Sequence, residues 1–213
     1  MLFISLGCDC CVKTRINEYF YKDKKVESQF FDWILSDFHT VLTVLKSILN
    51  NTKVIENENF IFSGNATDTG NHIINLKNMY FTSIHDIKSK MDIPSGKQQI
   101  HDKYVRRFNR LKTILENESG YVYFICNIDN ENPIQFGNMN ITINDLETFK
   151  YLVEQINDKL LFKLFVITPN LTEEEYDKII IINPTKTTKD HPKDWYRWYY
   201  DWGKIMEKIK SNI

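Results

Sequence analysis

Three stretches limit the folds open to this chain more than any other feature: residues 121–126 (Tyr-Val-Tyr-Phe-Ile-Cys), Leu161–Ile167 and the four isoleucines Ile179–Ile182. Each is apolar at almost every position, so a strand built from it needs cover on both faces. Between the first two, residues 144–156 carry Leu146, Phe149, Leu152, Val153 and Ile156 at helical spacing. Fully apolar strands alternating with helices predict an α/β domain: a three-layer, Rossmann-like arrangement around a mostly parallel sheet. In such sheets, sites form where the strands end. The predicted ends are 7–10, 126–129, 168–170 and 183–185.

The first half fits the same scheme less tightly. Residues 2–6 are a short apolar run that stops at Gly7, followed by a helix from Cys11 to about Tyr21. Helical spacing recurs over 37–49 and, most clearly, over 98–115, where Ile100, Tyr104, Phe108, Leu111 and Leu115 share a stripe. Residues 60–62 and 72–82 read as strands around a glycine-bearing turn, and 173–176 as a helical turn. No Gly/Pro/Ser linker divides the chain, so residues 1–213 are expected to form one domain, ending in an aromatic-rich helix over 194–210.

Charge narrows the function. With 27 basic and 28 acidic side chains, the chain lacks the basic excess that nucleic-acid binding requires. No apolar run approaches the ~20 residues of a membrane span, and the first residues lack a basic n-region, so the expected compartment is the cytosol. No metal spacing and no phosphate-binding glycine loop is present, so no cofactor is expected.

Scarce residues carry the chemistry. Three of the four cysteines fall in Ser5-Leu6-Gly7-Cys8-Asp9-Cys10-Cys11. A strand running into a glycine and then a cysteine at a helix start places a thiol where backbone N–H groups favour the thiolate and can hold an oxyanion. A buried structural thiol is the plain alternative. His85-Asp86, after a predicted strand, offers a base and an acid. His191, with Asp190 and Asp194 nearby, is the competing base. In Phe30-Phe31-Asp32-Trp33, a carboxylate among aromatics needs a specific partner or serves as a turn cap. Three of the five arginines are Arg106, Arg107 and Arg110; Arg106 and Arg110 lie one helical turn apart, suited to a carboxylate or phosphate, or to a structural ion pair.

Taken in order, these motifs resemble the family of putative papain-like cysteine peptidases, a domain of otherwise unknown function reported in bacteria and large DNA viruses. The matching stretches are 5–10, 31–34, 85–86, 104–110 and 121–125. The resemblance implies Cys10 as the nucleophile, His85 as its base and Asp32 or Asp86 as the acid. It also implies a papain-like α+β fold as the alternative to the Rossmann-like one. The sequence departs from the family at Cys8, where a small polar residue is expected, and lacks a proline before Phe31-Asp32.

Three functions follow. The first is a cysteine hydrolase or acyl-transfer enzyme using Cys10, His85 and Asp32 on a peptide, small molecule or glycan, with Gly7, Asp9, Asp86, Arg106, Arg110, Asn127 and His191 lining the substrate. An esterase-like variant would pair Cys10 with His191 and Asp194. The second is a glycosyl- or other group transferase whose arginines hold phosphate beside Asn127. The third is a non-enzymatic interaction module in which the same motifs determine the fold.

Overall fold

The protein is described from a computed structural model covering residues 1–7, 10–22, 24, 26–65, 70–88, 90–128, 141–185 and 200–213; at Cys10, Ile84 and His85 the description is of the backbone. The chain runs β1 (Leu2–Ser5), α1 (Cys10–Ile16), a π-type turn (Asn17–Tyr21), β2 (Leu35–Ser36), α2 (Phe38–Leu49), β3 (Phe60–Asn65), β4 (His72–Leu76), β5 (Phe81–Ile87) and α3 (Ile93–Asn117). It continues through β6 (Tyr121–Asn127), α4 (Ile143–Ile156), β7 (Leu161–Ile167), β8 (Glu175–Tyr176), β9 (Ile179–Ile182) and α5 (Trp202–Lys210).

The apolar strands build one sheet in the order β1-β6-β7-β9-β8, parallel except for the short edge strand β8. Side-chain alternation feeds two cores. Ile4, Val122, Phe124, Cys126, Leu164, Val166, Ile179 and Ile181 pack under α2 and α4. Phe3, Tyr123, Ile125, Phe165, Ile167, Ile180 and Ile182 pack under α1 and α5. This is the predicted three-layer α/β architecture, and it explains why the runs in β6, β7 and β9 admit almost no polar residue.

A second, antiparallel sheet, β2-β5-β4-β3, is added to it. Its inner residues Phe60, Ile74, Leu76 and Phe81 join the same core, where Phe81 packs on Tyr104 and Phe60 on His101 of α3. The expected strand over 72–82 is in fact a hairpin: the chain turns at 77–80 between β4 and β5. The helical turn expected at 173–176 is instead the strand β8, because Glu175 and Tyr176 pair with Ile180 and Ile179.

Helix limits follow their caps. Asp37 accepts from the Thr40 N–H at 2.7 Å and starts α2. Asp92 accepts from the Ser95 N–H at 2.9 Å and, with Pro94 in the first turn, starts α3 five residues earlier than its apolar stripe suggests. Thr142 and Asp145 form a reciprocal capping box on α4. Asp201 caps α5, which begins at Trp202; residues 194–199 of the expected helix lie outside the described residues. The other tryptophans of the expected aromatic helix, Trp195 and Trp198, lie outside the described residues. Among the described residues, no helix is long and apolar enough to cross a membrane.

Candidate active site

The first parallel strand delivers the site. After β1, Leu6 still donates its N–H to the Ile125 carbonyl at 3.0 Å, and then Gly7 turns the chain at φ +83°. A Cβ at position 7 would sit 2.0 Å from Ser36 Oγ, so the turn and the second sheet meet here with no room for a side chain. Three residues later α1 opens at Cys10. Cys11, next to it, is a buried thiol facing the α5 layer.

Asp32 lies under this helix, fully buried. It belongs to the turn in which the Asp32 N–H donates to the Gln29 carbonyl at 3.3 Å. Its Oδ2 accepts from the Gln29 N–H at 2.8 Å and from Lys13 Nζ at 3.0 Å. Lys13 is itself buried and sits one helical turn beyond Cys10 on α1. Asp32 Oδ1 is buried with no hydrogen-bond partner among the described residues. Burial pushes the Asp32 carboxyl above its ordinary range, and the adjacent Lys13 ammonium offsets this in part.

The network continues to the second sheet. Arg107 Nη1 donates to the Asp32 carbonyl at 2.9 Å and to the Tyr104 hydroxyl at 3.3 Å. The Tyr104 hydroxyl donates to Asp86 Oδ2 at 2.9 Å, and Ser83 Oγ donates to the same oxygen at 2.7 Å. Lys103 Nζ pairs with Asp86 Oδ1. Burial raises the Asp86 carboxyl, but Lys103 and the hydrogen bonds outweigh it and hold Asp86 below the usual carboxylate range. Burial and the nearby Asp86 charge drive the Tyr104 hydroxyl well above its ordinary value. Asp86 follows His85 in β5. One buried polar chain therefore links the helix that begins at Cys10 to the strand that carries His85.

That chain supports a prediction. Tyr104→Phe removes the donor to Asp86 and one acceptor of Arg107, all in a buried setting. It should cost about 1–3 kcal/mol, the range for an unsatisfied buried polar group, read as a lower urea midpoint at unchanged slope.

The other expected site residues are dispersed. Arg106 is exposed on α3, near Asp102. Arg110 pairs with Glu27 at 3.0 Å and donates to the Ser28 carbonyl, which ties α3 to the segment before Asp32. Asn127 is buried at the end of β6, on the sheet edge where β1 also ends. Asp9 and His191 lie outside the described residues. Among the described residues, no cluster of His, Cys, Asp or Glu could hold a metal.

Two partners went unanticipated: Lys13, one of many lysines in a lysine-rich chain, and Arg107. The spacing did contain a signal for Arg107. It falls between Tyr104 and Leu111 on the stripe Ile100, Tyr104, Leu111, Leu115, all of them buried.

The family model described as "Putative papain-like cysteine peptidase" matches residues 1–170. The chain belongs to this family. The match takes in Cys10, Asp32, His85, Asp86, Arg107 and Asn127, and stops before His191. No curated protein and no solved structure matches the chain. Membership in the papain-like peptidase family is consistent with a cysteine hydrolase. Here the family's N-terminal motifs sit on a mostly parallel sheet flanked by a second, antiparallel one.

Proposed function

We propose that the protein is a cysteine hydrolase in which Cys10 is the nucleophile, His85 the general base and Asp32 the acid that orients it. The observation that carries this reading is the buried chain Lys13–Asp32–Arg107–Tyr104–Asp86, which braces the Cys10 helix against the His85 strand. Asp32 is preferred over Asp86 because both Asp86 oxygens are already engaged, by Lys103, Ser83 and Tyr104, whereas Asp32 Oδ1 has no partner among the described residues.

The chemistry balances without a cofactor. His85 takes the Cys10 proton, and the sulfur attacks the acyl carbonyl carbon of a peptide or small amide. The tetrahedral oxyanion collapses, the C–N bond breaks, and the amine leaves with the proton from the imidazolium. Water, deprotonated by His85, then attacks the thioester; the C–S bond breaks and Cys10 regains its proton. An amine or hydroxyl acceptor in place of water gives acyl transfer.

The test is the pH dependence of alkylation at each cysteine, read by mass spectrometry. Cys10 should react fast well below the ordinary thiol value of about 8.5, and His85→Ala should abolish that low-pH reactivity. Slow reaction at all four thiols, or fast reaction at Cys8 or Cys11 alone, would refute the assignment. The group-transferase alternative gains little support, because Arg110 is engaged by Glu27 and Ser28 and Arg106 is exposed on α3.

A further inference from the structure

A carboxylate stabilises an imidazolium beside it only while it carries its charge. Burial works against that charge at Asp32, which is fully enclosed. Among the described residues, Lys13 faces the Asp32 carboxyl from α1, Arg107 from α3 and the Tyr21 hydroxyl from the π-type turn, and the Gln29 N–H donates to it from its own turn. Lys13 makes the direct ion pair, with Nζ 3.0 Å from Oδ2, whereas Arg107 donates to the Asp32 carbonyl.

Stability alone is a poor reason for a lysine at this position. Its neighbours on α1, Cys11, Val12 and Ile16, are apolar and buried. Replacing both members of a buried ion pair by well-packed apolar side chains is often neutral or stabilising. The placement of the pair supplies another reason. Positions 10 and 13 lie one turn apart and share a face of α1, while Cys11, Val12 and Ile16 pack into the α5 layer. The ion pair thus stands on the side of the helix that position 10 shares. Lys13 and the Gln29 N–H both bind Oδ2, which leaves Oδ1 to the base.

We propose that Lys13 is a positioning residue for the reaction at Cys10: its ammonium holds Asp32 as a carboxylate, so that Asp32 can orient and stabilise the protonated His85. Lys13 touches no substrate and acts through Asp32. This assignment rests on the Cys10–His85–Asp32 reading, but it can fail on its own.

The test is the pH profile of Cys10 alkylation by iodoacetamide, measured on folded protein. Without the ammonium, the Asp32 carboxyl moves further up and loses its charge where the wild type keeps it. In Lys13→Met the low-pH reactivity of Cys10 should therefore shift up by about one pH unit, or about tenfold in rate on the rising limb. Asp32→Asn should give a similar shift, and the double variant no more than Asp32→Asn alone. Lys13→Arg, which keeps the charge, should retain most of the low-pH reactivity. Arg15→Gln, an equal charge loss on α1 from a residue paired with Glu18, should leave the profile in place. A lysine that only holds the helix down lowers the unfolding midpoint and leaves the profile of the folded variant where it was. That result, or a double variant shifted beyond Asp32→Asn, overturns the proposal while the hydrolase reading stands. If wild-type Cys10 lacks low-pH reactivity, the hydrolase reading has failed and takes the proposal with it. If Lys13→Met does not fold, the carbon-13 signal of the Asp32 carboxyl in the wild type decides. It should remain that of a carboxylate throughout the pH range in which Cys10 becomes reactive; a protonated Asp32 there overturns the proposal.

Discussion

Lys13→Met will destabilise the protein by about 3–5 kcal/mol near neutral pH, the range for removing one partner of a buried ion pair. Lys13 and Asp32 have side chains 3% and 0% exposed and lie 3.0 Å apart. Without the ammonium, Asp32 keeps only the Gln29 N–H, with Oδ1 already lacking a partner among the described residues. The loss should depend on pH with a definite sign. The folded-state value of Asp32 is raised above its ordinary 3.8, so its contribution to stability is fully present below that value and is lost as pH rises through the folded value. Lys13→Met moves the folded value further up. The destabilisation should therefore be largest at neutral pH and vanish only as pH falls below the ordinary value of 3.8, where Asp32 becomes neutral in both folded and unfolded chains. Urea unfolding of Lys13→Met, Asp32→Asn and the double variant across this range tests the account. The double variant should be more stable than the two single losses sum to, because it leaves no unpaired charge. Strict additivity would show that the pair is not coupled.

Gly7→Ala should cost about 2–4 kcal/mol, combining the left-handed penalty of a residue with a Cβ and the strain of overpacking. The backbone at Gly7 has φ +83°, and the added methyl would meet Ser36 Oγ at 2.0 Å and Ser36 Cβ at 3.3 Å. Ser36 Oγ is buried with no hydrogen-bond partner among the described residues, so Ser36→Ala alone should be close to neutral or slightly stabilising. Combined with Gly7→Ala, it should restore the part of the loss due to the oxygen contact and leave the backbone part. Thermal melts of the three variants separate the two contributions. If Ser36→Ala restores nothing, the cost lies in the backbone alone. The same variants also locate the turn functionally: a shift at Gly7 displaces the start of α1, so low-pH alkylation of Cys10 should slow even where the fold survives.

The parallel sheet was legible because burial on both faces leaves a strand few choices. The runs in β6, β7 and β9 could be placed to within a residue, and the helix between β6 and β7 followed from its spacing. The antiparallel sheet was harder. His72, Asn75, Thr82 and His85 interrupt its strands, and the turn at 77–80 contains no glycine, so β4 and β5 read as one element. In the tail, the aromatic stripe at helical spacing hid Asp201, the cap that starts α5 at Trp202.

Within the site, Asp32 was recognisable as a carboxylate that needs a partner, since nothing else in Phe-Phe-Asp-Trp can solvate it. Which partner it takes depends on how α1 packs against the turn, and one lysine among many does not announce itself. The arginines show a finer limit. Shared helical spacing linked Arg106 to Arg110, yet α3 is oriented by its apolar stripe, and that stripe turns Arg107 inward instead.

The π-type turn after α1 has a consequence for how the molecule meets others of its kind. It swings Tyr21 back so that its hydroxyl accepts from the Phe3 N–H at 2.8 Å and donates to the Phe3 carbonyl at 3.4 Å. β1 is the outer strand of the parallel sheet, and Phe3 would otherwise present both of its main-chain groups as a template. A single phenol occupies that rung, so a strand from a second molecule finds no open pair at Phe3 on which to begin docking. The bend that closes the Cys10 helix thus also guards the sheet against self-association.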